Sequence, residues 1–183
     1  MFVEYHLTIE KKEFERRDYG LDPFLAVEEI NTDFNTFMSL FKRVGSPWGW
    51  DRRPKYCDNR EGLEERVAAG RIHLLKKFNE VVGYCFSVEK GNMTSEFNRG
   101  SMVEIENFGL FPEQNGKSYG KTYLPKIFNE LFKGNDIVYL SSRSTNHVKV
   151  IPFYQSLGMK VIESIKMEDD LYDRPAEWMH MYT

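Results

Sequence analysis

The stretch Asn115-Gly116-Lys117-Ser118-Tyr119-Gly120-Lys121 could hold a phosphate without a metal. It follows Pro112 at the end of a strand-like run and opens directly into a helical pattern. Such a turn aims successive backbone N–H groups, and the positive end of a helix dipole, at one point. Gly116 and Gly120 permit close approach, and Lys117 and Lys121 add positive charge against a diphosphate. A glycine-bearing turn before a helix also serves as a plain chain reversal, so the phosphate reading needs support elsewhere. Neither GxxxxGK[ST] nor a GxGxxG inside a βαβ unit is present, which sets nucleoside triphosphates and dinucleotides aside.

A second group of residues could shape a pocket for another substrate. Trp48, Trp50, Arg52 and Arg53 crowd one short segment. Aromatic faces receive apolar or cationic groups, and arginine fixes carboxylates. The same tryptophans would serve equally as packing anchors for a preceding helix.

The elements that position these residues follow from hydrophobic period. Val3, Tyr5, Leu7 and Ile9 alternate with polar residues, the pattern of a half-buried strand. Phe34, Phe37, Met38 and Phe41 have helical spacing, with Asn31 and Thr32 as caps and an end near Gly45. A second helix starts at Asp58 or Asn59, carries Leu63 and Val67, and stops at Gly70, which suits a left-handed position. Ile72–Phe78 and Val81–Val88 flank Asn79-Glu80 as an antiparallel hairpin, and GNMTSEFNRG reads as a loop. Ser101–Leu110 is strand-like. Ser118–Phe132 is a helix with the stripe Tyr123, Leu124, Ile127, Phe128 and Leu131. Ile137–Leu140 is a strand, His147–Leu157 a helix stopped by Gly158, and Met159–Lys166 and Glu177–Thr183 are closing strands. The order predicts an α/β protein built on one mixed sheet.

With 183 residues the chain is expected to form a single domain over 1–183. Twenty-five basic against 28 acidic residues leave a net charge of −3, so no global positive field draws it to nucleic acid or anionic lipid. Cys57 and Cys85 have neither zinc-ligand spacing nor a disulfide framework, and no apolar run reaches membrane-spanning length. A cytoplasmic protein that uses no metal is the expectation, without nucleic-acid or membrane partners and as a monomer or homodimer.

The phosphate turn gains support downstream in STNHVKVIPFYQSLGMKVI, where a helix ends with Tyr154, then Gly158 and a strand. Together the two segments resemble the cofactor motifs of the GNAT acetyltransferases, in which LxVxP leads to (Q/R)xxGxG and a later helix carries Nxx(A)xxxY. Phe108-Gly109-Leu110-Phe111-Pro112 matches the first part. Asn115, Ser118 and Gly120 stand at the Gln/Arg and two Gly positions, His147 at the Asn position with Asn146 before it, and Tyr154 at the Tyr position. Val44-Gly45-Ser46-Pro47-Trp48-Gly49-Trp50-Asp51-Arg52-Arg53 resembles the VGxxWxWxxR element of one GNAT subgroup.

What this resemblance implies is a central, mostly antiparallel sheet with splayed central strands flanked by helices, holding acetyl-CoA or another acyl-CoA. Backbone groups of Phe108 and Leu110 would bond the pantetheine arm, the amides from Asn115 to Lys121, Tyr119 included, would hold the diphosphate, and Asn146 and His147 would lie beside the cofactor. Tyr154 is the candidate acid that protonates the departing thiolate. Glu104 is the candidate base, because an amine with a pKa near ~10 must lose a proton before attack. Glu106 or an ordered water chain is its rival, and Glu106 is, with Trp48, Trp50 and Arg52, a candidate for the acceptor side. Simple alternation places Glu104 and Glu106 on one strand face with Phe108 and Leu110. The expected activity is transfer of an acyl group to a small-molecule amine, or to a peptide or protein amine, by direct attack in a ternary complex. Two alternatives stand beside it: a CoA-binding sensor module without catalysis, and an interaction domain whose glycine turn is only structural.

Overall fold

The computed structural model describes residues 2–48, 50, 59–95, 98–144, 146 and 148–167. The first strand, β1 (Phe2–Glu10), buries Leu7 and Ile9 completely on one face and carries Glu4 and His6 on the other, as its alternation predicts. A single helical turn, α1 (Lys11–Phe14), drops Phe14 into the same core. The next strand, β2 (Leu25–Ile30), is absent from the sequence reading. Its Glu28 and Glu29 break the apolar pattern because it is an edge strand, paired on one side only.

Helix α2 (Phe34–Gly45) ends where expected but is capped by Asp33 rather than Asn31 or Thr32: the Asp33 carboxylate accepts from the Thr36 N–H at 2.9 Å. The Thr32 hydroxyl instead accepts from Ile72 N–H at 3.2 Å and ties the linker to the sheet. Helix α3 (Arg60–Ala68) is capped by Asn59 as expected and buries Leu63 and Val67. Its stop differs in one respect. Gly70 opens the following strand without a left-handed backbone, and glycine is needed there because a Cβ would meet the Phe86 ring at 2.2 Å.

Strands β3 (Gly70–Lys77) and β4 (Glu80–Ser95) form the expected hairpin, but it turns through positive φ at Phe78 and Asn79, one residue earlier than the expected Asn79-Glu80. The segment read as a loop is instead strand: β4 runs on to Ser95 and β5 spans Asn98–Leu110. The polar residues of GNMTSEFNRG disguised it, since they show no apolar alternation by which a strand could be read. Helix α4 (Gly120–Leu131), strand β6 (Ile137–Arg143), helix α5 (Val150–Ser156) and strand β7 (Lys160–Met167) complete the order. Helix α5 starts three residues later than the sequence suggests, and Gly158 stops it with φ +96°. The strand expected at Glu177–Thr183 lies outside the described residues.

The seven strands form one sheet in the order β2-β3-β4-β5-β6-β1-β7, antiparallel except for β5 beside β6. That parallel pairing covers only Met102↔Ile137, Val103↔Val138 and Glu104↔Tyr139. Beyond this rung the two strands part, β5 continuing to Leu110 and β6 to Arg143. Two cores flank the sheet. Tyr123, Leu124, Ile127, Phe128 and Leu131 of α4 pack with Leu7, Val103, Ile105 and Val138 on one face. Phe37, Phe41 and Val44 of α2, with Leu63 and Val67 of α3, cover Ile72, Tyr84 and Phe86 on the other. Each such side chain contributes about 1.5–3 kcal/mol on burial, which clamps the sheet at both faces and leaves the parting of β5 and β6 as a fixed feature.

Candidate acyl-transfer site

A β5–β6 pair that stops at Glu104↔Tyr139 leaves the β6-facing edge of Ile105–Leu110 outside the ladder. Backbone N–H and C=O groups on such an edge seek an extended polar partner. The edge leads, through Phe111 and a short 3-10 turn at Pro112–Gln114, into the predicted phosphate turn. Here Gly116 and Ser118 both adopt left-handed backbone, with φ of 76° and 60°. A left-handed residue in such a turn directs neighbouring N–H groups inward as a concave anion nest. No side chain caps α4 at Tyr119, so the amides of its first turn face the same point.

Ser118 pays for its conformation, because a Cβ in the left-handed region clashes with the backbone in a way glycine does not. Replacing Ser118 by glycine is expected to raise the unfolding free energy by about 0.5–1 kcal/mol, read from urea titrations. Unchanged or lower stability would mean that the turn relaxes around the serine without strain.

Side chains pin the turn from several directions. Lys117 donates to Gln114 Oε1 at 3.0 Å. Lys77 donates to the Tyr119 hydroxyl and lies 4.7 Å from its ring centroid, so the Tyr119 side chain fastens the turn to β3 while its backbone belongs to the nest. Gly120, the first residue of α4, faces Phe153 of α5, where a Cβ would come within 3.3 Å of the ring. Asn146 donates to the Ser142 hydroxyl at 2.9 Å, which anchors the loop after β6. His147 lies outside the described residues.

Tyr154 sits on α5 and packs, with Phe108 and Leu110, against the core that contains Cys85. Cys85 is the register partner of Phe108. Burial, and then the neighbouring Cys85 thiol, push the Tyr154 phenol up to about 12, so it keeps its proton at neutral pH. Burial raises the Cys85 thiol as well and keeps it neutral. The structure therefore brings Tyr154, Phe108 and Leu110 to one side of the sheet, beside the open edge.

It separates Glu104 and Glu106 from them, contrary to simple alternation. Phe86 pairs with Asn107, but the next residue, Ser87, pairs with Ile105, so Glu106 is an extra residue in a β-bulge. The bulge shifts the register by one: Val103, Ile105, Phe108 and Leu110 face the α4 core, while Glu104 and Glu106 face the opposite side. The Glu106 side chain is 2% exposed, with Oε2 3.5 Å from Arg66 of α3. Glu104 is 15% exposed and is held by Lys90 at 2.6 Å. The phenol and the carboxylates thus stand on opposite faces of the sheet.

Trp50 packs against Phe41, with ring centroids 5.9 Å apart, and fills the space above Gly45 and Gly109, so packing accounts for its position. The Trp48 side chain and Arg52 lie outside the described residues. Sequence reasoning missed Glu4, His6 and Tyr139, which share the Glu104 face. The His6 Nδ1 is hydrogen-bonded to the Tyr139 hydroxyl, and its Nε2 lies 3.6 Å from Glu4. Alternation in β1 puts Glu4 and His6 on one face, yet nothing local announces a partner 133 residues away.

The model of the acetyltransferase (GNAT) family matches residues 26–159. The chain belongs to the GNAT acetyltransferase family. The family is one of acetyltransferases. None of the curated proteins matches it. Solved structures share the fold. A conserved protein of unknown function from Staphylococcus epidermidis ATCC 12228 aligns with TM-score 0.57 and 12% identity, over 89% of this chain and 59% of its own. A GCN5-related N-acetyltransferase from Sphaerobacter thermophilus aligns with TM-score 0.56 and 14% identity, over 89% and 49%. The aminoglycoside acetyltransferase meta-AAC0020 from an uncultured soil metagenomic sample aligns with TM-score 0.52 and 14% identity, over 84% and 99%. The GNAT protein thus spans about three-fifths of the length of the first of these and half that of the second. Among its described residues no helix is long and apolar enough to cross a membrane.

Proposed function

We propose that the chain moves an acetyl group from acetyl-CoA to a primary amine, by direct attack within a ternary complex. The observation that carries this reading is the parting of β5 and β6 beyond Glu104↔Tyr139, with the nest at Gly116–Gly120 at the far end of the open edge and Tyr154 beside it. The residues fit CoA. Phe108 and Leu110 offer backbone groups to pantetheine amides, and the amides from Asn115 to Lys121 offer positive dipole to a diphosphate. Bound acetyl-CoA supplies an activated thioester. Burial keeps the Tyr154 phenol protonated at neutral pH, and it protonates or hydrogen-bonds the sulfur that leaves. Glu104 and Glu106, on the other face, favour a cationic acceptor. Asn146 would border the cofactor.

A small-molecule amine is the favoured acceptor class, supported by the shared fold with an aminoglycoside acetyltransferase. The test offers acetyl-CoA with a panel containing an aminoglycoside, a polyamine, primary alkylamines, amino acids and a lysine peptide, and follows free thiol together with product mass. Thiol release matched by an acetylated product is expected for at least one amine. Acetyl-CoA binding without turnover would leave the sensor reading, and no binding at all in calorimetry would remove both.

A further inference from the structure

We propose that Tyr139 takes the proton from the acceptor amine while passing its own to His6, so that Glu4, His6 and Tyr139 act together as the base of the reaction. This rests on the acetyltransferase reading above and names the group which that reading leaves open. Tyr139 lies in the last rung of the β5–β6 pairing, opposite Glu104, at the vertex where the strands part. Its side chain shares the carboxylate face rather than the Tyr154 face, which is where an amine approaching a thioester from across the sheet would arrive.

The partners define the direction of transfer. The His6 ring reaches diagonally from β1 so that Nδ1 meets the Tyr139 hydroxyl. Its Nε2 is buried, has no hydrogen-bond partner among the described residues, and lies 3.6 Å from Glu4 Oε1. A carboxylate beside Nε2 favours the tautomer with the proton on Nε2, which leaves the Nδ1 lone pair to accept from Tyr139. Glu4 is itself oriented by Arg143 Nε at 3.4 Å, its cross-strand partner.

The rival base is already engaged, since Glu104 is bound by Lys90. Glu104 keeps an electrostatic role in drawing a cation to the vertex. The step balances as follows. The ammonium N–H breaks as an O–H forms on Tyr139. The original Tyr139 O–H breaks as an N–H forms on His6 Nδ1. The resulting imidazolium faces Glu4 and Glu163, its cross-strand neighbour on β7. The charged groups around the relay are Glu4 on β1, Arg143 on β6, Glu163 on β7, Glu104 on β5 and Lys90 on β4. Burial, followed by the charges of Glu104, Glu4 and Glu163, holds the Tyr139 phenol well above its ordinary value. The phenol therefore does not ionise on its own and hands its proton on only as it receives another.

The test compares His6→Gln and Tyr139→Phe with the wild type on two acceptors: the most active primary alkylamine of the panel, and methoxyamine, whose nitrogen is unprotonated at neutral pH. Both variants are expected to lose about 100-fold or more in kcat/KM on the alkylamine and less than about tenfold on methoxyamine, with the KM for acetyl-CoA unchanged. Nitrogen-15 NMR of the histidine-labelled wild type should show His6 with its proton on Nε2, and its Nδ1 signal should move in Tyr139→Phe. Equal losses on the two acceptors, no loss, or a proton on Nδ1 would overturn the relay. A wild type that turns over the panel indifferently to both substitutions sinks the relay alone. A wild type that turns over no amine sinks the acetyltransferase reading and the relay with it.

Discussion

Replacing Gly120 by glutamate is expected to abolish acetyl-CoA binding, with affinity in calorimetry falling about 1,000-fold, the equivalent of about 4 kcal/mol of like-charge repulsion across ~4 Å at an effective dielectric near 20. Gly120 is the first residue of α4, and the space behind it ends at the Phe153 ring, 3.3 Å from an ideal Cβ. A longer side chain is therefore turned out toward the nest formed by Gly116 and Ser118. There its carboxylate would replace an attractive helix terminus with a negative charge. Gly120→Ala is the control for folding: its Cβ asks Phe153 to yield only a few tenths of an ångström, so thermal stability and measurable binding should survive. Wild-type affinity in the glutamate variant would show that the diphosphate lies elsewhere.

Tyr154→Phe is expected to lower kcat by about 100-fold while leaving the KM for acetyl-CoA within about threefold, the pattern of a proton donor that acts only as the sulfur departs. The phenyl ring preserves packing against the core around Cys85, so the loss isolates the hydroxyl. The alkaline behaviour has a definite sign. Burial raises the phenol to about 12, so the folded chain holds this proton more tightly than an unfolded tyrosine with a pKa near ~10. The associated stabilisation is complete below about pH 10 and is lost as pH climbs toward 12, and Tyr154→Phe should remove that part of the alkaline decline. Turnover equal to wild type would take Tyr154 out of the acid role and leave its place to packing.

Several parts of the molecule were legible because local physics dictates them. The stripe of α4, the alternation of β1, the turn after β3 and the stop at Gly158 each express a period or a left-handed backbone that few residues tolerate. The glycine turn before α4 belongs with these as a turn, since it is one contiguous segment whose glycines lead straight into a helix. The strand β2 escaped because an edge strand does not need a strict apolar face, and the β4–β5 extension escaped because its residues carry no apolar alternation.

The two faces of the sheet differ instructively. Phe108, Leu110 and Tyr154 were found through a resemblance carried by motifs, and the fold brings them together. Glu104 and Glu106 were found as residues but placed on the wrong face, because a one-residue bulge reverses the alternation that follows it. A bulge carries no residue signature here; it appears only when the two paired strands are laid side by side.

Residue order alone therefore settled the mixed α/β character, the helix stripes and the turn before α4, since each depends on neighbours within a few positions of one another. The pairing of β5 with β6 for three rungs only, the face on which Glu104 and Glu106 stand, and the meeting of Glu4, His6 and Tyr139 were decided by the folded sheet. Strands far apart in the chain come into register through the burial of both faces at once, and that condition belongs to the whole core rather than to any segment of it.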